Sequence, residues 1–288
     1  MKNPAETRQD ILTAIKKIPA LSTSAGQILN TINDENHNLS HLVNIIRFDS
    51  ALTANVLKTA NSAFYGLPTE VSHVDRAISL IGEDCVINIT LKKGLAKLFD
   101  KELKGYRSVS GELWRHDLCA AIASKKIAQL NSGHISPEIA FTGGLLHDIG
   151  KAVISSFLGD TSSKIIEAID RGRVKDFYEA EQRLLGIDHA MVGFELAQHW
   201  NLPETLAYVI RHHHTPSKAP SDFKSYAYCV HLGDIVAMMA GCGTGADTLY
   251  YPLDDSYVNF IKLSKDDLHL LVLEVEEEFQ KTMAALQT

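Results

Sequence analysis

The chain has 288 residues, 45% of them hydrophobic, and a formal net charge of −7. That length and apolar content can bury a full core, in one large domain or two small ones, and the acidic balance speaks against a general binder of nucleic-acid backbones. Cys85, Cys119, Cys229 and Cys242 stand far apart with no Cys-x-x-Cys pair, which argues against a disulfide framework or zinc knuckle and fits reduced thiols. No apolar stretch follows Met1, and no run approaches the roughly 20 residues of a membrane span, so a cytoplasmic protein without a membrane span is expected.

Helical spacing dominates in chain order. Leu42, Val43, Ile45 and Ile46 make one apolar face; Leu52, Val56, Leu57 and Ala60 make another, at steps of three and four. Ser40 is the expected cap of the first of these helices. Asn61-Ser62 before Gly66 reads as a cap or turn. Ser72 is the expected cap of the next helix, with Asp75 reaching back and Gly82 ending it. Lys92, Lys93, Lys97, Lys101 and Lys104 interleave with Leu91, Leu95, Leu98 and Leu103. Asp100 and Glu102 dilute their charge, so a solvated helix face is expected here in preference to a surface for an acidic partner or a membrane.

The polar stretch 104–111, punctuated by Gly105 and Gly111, is the expected boundary between residues 1–108 and 109–288. Glu112 to Leu130 then reads as a helix carrying His116. Ala140 to Phe157 is largely apolar, carries His147-Asp148 midway and is interrupted by Gly150. Ile187 to Trp200 has His189 in its first turn. Leu202-Pro203 opens a helix that ends in His212, His213 and His214 before Pro216. Ser225 to Gly241 carries Asp234. Ser264 with Asp267 caps a last helix, with Leu268, Leu271 and Val275 on one face and the Glu274 to Glu278 cluster in solvent. Two-residue alternation is short and rare. The expected fold is therefore all-α, an N-terminal helical bundle packed against a second helical domain.

The dipeptide His147-Asp148 lies within Leu145-Leu146-His147-Asp148-Ile149-Gly150-Lys151, where a core helix would want no polar group. Together with His116, His189, the histidine run and Asp234, it supplies the imidazoles and carboxylates that a transition metal or Mg needs.

This order resembles the HD superfamily of metal-dependent phosphohydrolases. Ile18-Pro19-Ala20-Leu21, Asp49-Ser50-Ala51-Leu52, Ala60-Asn61-Ser62-Ala63 and Ala77-Ile78-Ser79-Leu80-Ile81-Gly82 narrow it: from about Ile18 to about Gly243 the chain is similar to the HDOD family, the HD-related output domain of bacterial signalling proteins. The resemblance implies a divergent HD-type helical domain and a regulatory role in signal transduction, with a protein partner. It assigns His116, His147, Asp148 and Asp234 to one metal. Asp148 would bridge to a second, held by His189 and the pair His213-His214. A one-residue shift of register would make that pair His212-His213; Thr215-Pro216 favours the former, and His213 belongs to both. The implied cofactor is one or two divalent metals, Fe, Mn, Ni, Zn or Co, with Mg as a further candidate.

Such sites usually carry out hydrolysis, so the alternative is an active phosphohydrolase of a nucleotide or other phosphoester, with Asp148 and Lys151 as catalytic residues. Lys151, one turn after His147, could neutralise a phosphate or pair with a site carboxylate; otherwise it extends to solvent. The Gly-Tyr-Pro motif of HD-type cyclic-di-GMP phosphodiesterases is absent after the histidine run, which weighs against that substrate. Ser50 stands where the family commonly has proline, and serine can cap the helix instead. His199 and His231 are expected to be structural, and His134, in a polar loop, exposed. The oligomeric state is left open.

Overall fold

The computed structural model describes residues 3–34, 36–131 and 135–286. Among these the chain is all-α: sixteen α-helices joined by turns and short 3-10 segments, with no strand pairing beyond an isolated bridge between Leu103 and Ser108. The first half holds α1 (Pro4–Ile15), α2 (Thr23–Ile32), α3 (Leu39–Arg47), α4 (Ser50–Ala60), α5 (Val74–Ile81), α6 (Glu83–Gly94) and the short α7 (Ala96–Phe99). The second half holds α8 (Glu112–Leu130), α9 (Pro137–Leu146), α10 (Lys151–Leu158), α11 (Ser162–Asp170), α12 (Phe177–Leu185), α13 (His189–His199), α14 (Glu204–His212), α15 (Ser221–Met239) and α16 (Lys265–Leu286). No described helix is long and apolar enough to cross a membrane.

The helix starts correct three expected caps. Asn38, not Ser40, caps α3, its Oδ1 accepting the Ser40 N–H at 3.0 Å. Asp49, not Ser50, caps α4, accepting from Ala51 and Leu52. A cap must hold extended backbone just before the first helical turn. Asn38 and Asp49 do so, whereas Ser40 and Ser50 already lie inside their helices. Ser72 sits one residue before His73, which precedes α5 without a side-chain cap, and Asp75 turns to Arg47 instead. Gly82, at φ 81°, ends α5 as expected. Asn61 follows α4 and fixes the next loop, donating from Nδ2 to the Val71 carbonyl (2.8 Å) and accepting the Val71 N–H (2.7 Å).

Helices α2 to α6 pack their apolar faces together through residues such as Ile28, Leu42, Ile46, Val56 and Ile78, all buried. Burying each such side chain contributes about 1.5–3 kcal/mol. Helix α1 packs elsewhere, against α10, α12 and α13. In the second half α8 is the central rod, flanked by α9, α15 and α16. Gly144 lets α9 touch it, since a Cβ there would lie 2.7 Å from Ala121 Cα. The turn at Lys104–Tyr106 is not open chain: Gly105 and Tyr106 are buried against α10, and the Gly105 N–H donates to Ser155 Oγ at 3.0 Å.

Two of the five lysines expected on a solvated face also reach the second half. Lys92 lies 3.5 Å above the Trp114 ring, and Lys101 donates to the Ala152 carbonyl at 2.8 Å. Lys93, Lys97 and Lys104 are exposed, as are Glu274 and Glu276 to Glu278.

Candidate metal centre

Five helices deliver side chains to one buried point. His116 comes from α8, His147 and Asp148 from the end of α9, His189 from the first position of α13, His213 and His214 from just beyond α14, and Asp234 from α15. Between α9 and α10 the backbone makes a tight turn, with the Lys151 N–H donating to the Asp148 carbonyl at 2.9 Å. Gly150 in that turn is pressed on the start of α13; a Cβ there would sit 2.0 Å from the His189 carbonyl oxygen and 2.7 Å from Gly193 N.

Asp148 stands at the centre. Its Oδ2 lies 3.6 Å from both His116 Nε2 and His147 Nε2. Its Oδ1 lies 3.4 Å from His189 Nε2 and 3.6 Å from His213 Nε2. Asp234 Oδ1 closes the first group, 3.2 Å from His116 Nε2 and 3.7 Å from His147 Nε2. His214 closes the second, with its Nε2 3.0 Å from His189 Nε2. The register of the histidine run is thus resolved in space: His213 and His214 face the cluster. His212 is half-buried beside Tyr208, and burial followed by the charge of Arg211 pushes its pKa down to about 4.

The imidazole pairs carry the main clue to what the site holds. His116 Nδ1 lies 2.5 Å from the Cys242 carbonyl, His147 Nδ1 2.7 Å from the Gly144 carbonyl, and His213 Nδ1 2.7 Å from the Ile210 carbonyl. His189 Nδ1 lies 2.7 Å from Glu181 Oε2. Carbonyl and carboxylate oxygens only accept, so each Nδ1 bears the hydrogen and each Nε2 of a neutral ring presents a lone pair. These lone pairs face one another, with Nε2–Nε2 distances of 3.3 Å for His116–His147 and 3.3 Å for His189–His213. Two lone pairs at that distance repel unless a proton or cation lies between them. The buried Asp148 Oδ1 and Asp234 Oδ2 also accept no hydrogen bond from any described residue. Among the described residues two groups could hold a metal, Asp148–His189–His213–His214 and His116–Asp117–His147–Asp148, their ligand atoms lying within 4.8 Å of one another in each. The donor set fits divalent metals, in imidazole and carboxylate chemistry and in its outer hydrogen bonds.

Charge is balanced tightly. Burial opposes ionisation of Asp148 and Asp234. Lys151 and His147 overcome it for Asp148, and His116 and His147, which can donate to it from Nε2 only when protonated, do so for Asp234, so both carboxyls stand well below the usual range. Burial also opposes protonation of His116 and His147, but Asp234 and Asp148 outweigh it and raise both. His213 has weaker compensation, and burial pushes it down to about 4. Lys151 does not reach solvent: it is 2% exposed and lies 2.6 Å from both Asp148 Oδ2 and Asp247 Oδ2. Thr244 Oγ1 accepts a further bond from it at 3.1 Å. Those two carboxylates outweigh its burial and raise its pKa.

Several site neighbours escaped the sequence reading. Glu181 is fully buried; it accepts from the His189 N–H (2.8 Å) and from Tyr106 OH (2.6 Å). Asp247 accepts from Tyr251 OH at 2.9 Å, and the Tyr251 ring stacks on His214 with centroids 3.9 Å apart. Nothing local in the chain marks either acid. Asp117 did carry a signal, since His116-Asp117 repeats the His-Asp dipeptide. Its Oδ1 lies 3.7 Å from His147 Nδ1, and burial, then the charge of Asp148, drives its carboxyl well above the usual range, toward the neutral acid. His231 supports the site from behind, its Nδ1 2.8 Å from the His213 carbonyl and its Nε2 accepting the Asp254 N–H. His199 bonds the Ile18 carbonyl at the surface. His134 lies outside the described residues.

The all-helical scaffold and the ordered His, His-Asp and Asp positions define an HD-type protein. The HDOD domain pattern matches residues 18–216, and the chain belongs to that family. It is 24% identical over 279 residues to an uncharacterized protein of Treponema pallidum (strain Nichols), covering 96% of this chain and 52% of the relative, so it spans about half that protein's length. Among solved structures it resembles an HDOD domain protein of unknown function from Geobacter sulfurreducens, with a TM-score of 0.72 and 25% identity over 98% of this chain and 96% of the other. It also shares its fold with a Marinobacter aquaeolei VT8 protein provisionally described as a signal transduction protein (TM-score 0.75, 21% identity, 99% of this chain and 66% of that one).

Proposed function

We propose that this chain is a regulatory HDOD module whose HD-type centre, formed by His116, His147, Asp148, His189, His213, His214 and Asp234, binds one or two divalent transition metals as a structural or ligand-sensing core. The observation that carries this reading is the closed cluster of facing imidazole lone pairs around Asp148. Burial supports a sensing or structural role over open catalysis: every proposed ligand but His214 is buried, and His214, half-buried as a residue, has a side chain only 5% exposed beneath the Tyr251 ring. In this reading residues 1–108 are the partner-facing subdomain and 109–288 the subdomain carrying the site, with α1 packed back on the latter. Exposed apolar side chains in the first half, Phe48 (93% exposed) above all, support contact with a signalling partner.

A second reading, an active phosphohydrolase, is favoured by one observation: the two oxygens of Asp148 face two separate imidazole groups, as a bridging carboxylate between paired metals would. Such metals, when bound, supply an activated water and a clamp on phosphate oxygens. Lys151 would hold Asp148 ionised and oriented, and Glu181 would fix the His189 ring. A substrate would require Tyr251 to leave His214.

The test is elemental analysis of protein purified without a metal-affinity step, beside the Asp148→Ala variant. One or two metals per wild-type chain, absent from the variant, is the expected result. No metal, even after reloading with Fe and Mn, would sink both readings of the site. Turnover of a phosphodiester panel by the loaded protein, abolished in a folded His147→Ala variant, would favour the hydrolase; no turnover with Mn, Fe, Mg or Ni would leave the regulatory module.

A further inference from the structure

Helix α8 carries a thiol about one turn beyond a proposed metal ligand. Cys119 follows His116 on that helix and is fully buried, and its thiol donates to the sulfur of Cys242. Cys242 lies just past the end of α15 and is half-buried, so it is the member of the pair nearer solvent. The same residue meets the metal centre through its backbone, since its carbonyl oxygen lies 2.5 Å from His116 Nδ1 and accepts from it. The other two cysteines stand apart from this pair. Cys229 Sγ donates to the Ser124 carbonyl at 3.2 Å, and burial pushes the pKa of the Cys85 thiol up to about 12.

Two thiols in contact are the reduced form of a disulfide. Joining them requires the sulfurs to close to about 2.05 Å. Helix α8 is held in place by α9, α15 and α16. The movement therefore falls on the Gly241-Cys242-Gly243 segment, where Gly241 holds φ 79° and has open space around its Cα. A shift of Cys242 carries its carbonyl along, and that carbonyl fixes the His116 ring. Bonds of this kind orient metal-binding imidazoles, and losing one typically costs about 10–100-fold in affinity.

We propose that Cys119 and Cys242 form a redox modification site, oxidised to a disulfide by hydrogen peroxide, and that this bond loosens the metal centre at His116; the loosening rests on the metal-binding reading of that centre. The Cys242 sulfur attacks one peroxide oxygen. An S–O bond forms, the O–O bond breaks, and the other oxygen leaves as water with the thiol proton. The Cys119 sulfur then attacks the Cys242 sulfur. The S–S bond forms, the S–O bond breaks, and a second water leaves with the Cys119 proton. The thiol pair gives up two electrons, and the peroxide is reduced to water.

The experiment takes the full chain loaded with zinc, which has no redox chemistry of its own, before and after treatment with hydrogen peroxide. Peptide mass mapping reads the bond, and competition with a chelator reads the affinity for zinc. A Cys119–Cys242 linked peptide, reversed by a dithiol reductant, is expected, with zinc affinity at least tenfold lower in the oxidised chain. Cys119→Ala should bind zinc as the reduced wild type does and keep it through peroxide treatment. Should that variant fail to fold, Cys119→Ser carries the same expectation. Absence of the linked peptide, or linkage of either cysteine to Cys85 or Cys229, overturns the proposal. So does zinc held equally by the reduced and oxidised chains, or zinc lost from the reduced Cys119 variant, which would make the thiols ligands. A reduced wild-type chain that takes up no zinc fails the metal reading itself, and the proposed loosening with it, before any peroxide is added.

Discussion

Between Ile11 and Ser108 the buried polar side chains are Thr59, Ser62, Asn88, Thr90 and Ser108, none of them charged, among the described residues. Between His116 and Asp247 the buried set includes His116, Asp117, His147, Asp148, Lys151, Glu181, His189, His213, Asp234 and Asp247. The first half is held chiefly by apolar contact, with no buried charge to neutralise. The second half has folded around ionisable groups that are costly to bury unless they neutralise one another or a bound cation. The two halves should therefore fail in different ways when altered.

The largest contrast should come from Asp148→Ala. It removes the carboxylate both imidazole groups share and leaves Lys151 only Asp247, so the metal-free protein should lose about 3–5 kcal/mol in urea unfolding, together with its metal. Ile78→Ala, in the fully apolar core of the first half, should cost about 2–5 kcal/mol with metal content unchanged. Metal loss in that variant would erase the distinction between the halves. Glu181→Gln keeps the shape of the side chain but weakens its hold on His189; metal affinity measured by competition with a chelator should fall about 10–100-fold. Asp117→Asn should do least. Asp117 is held toward its neutral form, so an isosteric neutral amide should change stability by less than about 1 kcal/mol and leave metal content intact. Loss of one metal equivalent there would make Asp117 a ligand.

Much of this architecture is legible along the chain because it rests on local chemistry. The Glu112–Leu130 helix, the break at Gly150 and the Ser264–Asp267 bonds that start α16 follow from spacing, glycine and capping. The capping errors at Ser40, Ser50 and Ser72 arise where neighbouring residues of similar capping ability compete, and backbone conformation chooses among them. The choice between His212 and His214 was open because a turn just after α14, not periodicity, decides which rings face inward. Glu181 and Asp247 had no local mark at all. Each acts through a partner that only tertiary packing brings near, His189 and Lys151, the second of these pairs being formed by α10 and the loop after α15.

Gly150 has a bearing on exchange kinetics. With no side chain there, the backbone at the start of α10 rests against the first turn of α13, which seats the His147-Asp148 turn directly on the segment that carries His189. His214 is the most accessible of the proposed ligands, and the Tyr251 ring, anchored by Asp247, is stacked over it. In the metal-binding reading proposed above, the Tyr251 ring over His214 is the gate to ion exchange, and a Tyr251→Ala chain should release bound metal to a chelator faster than the wild type without an equal loss of affinity.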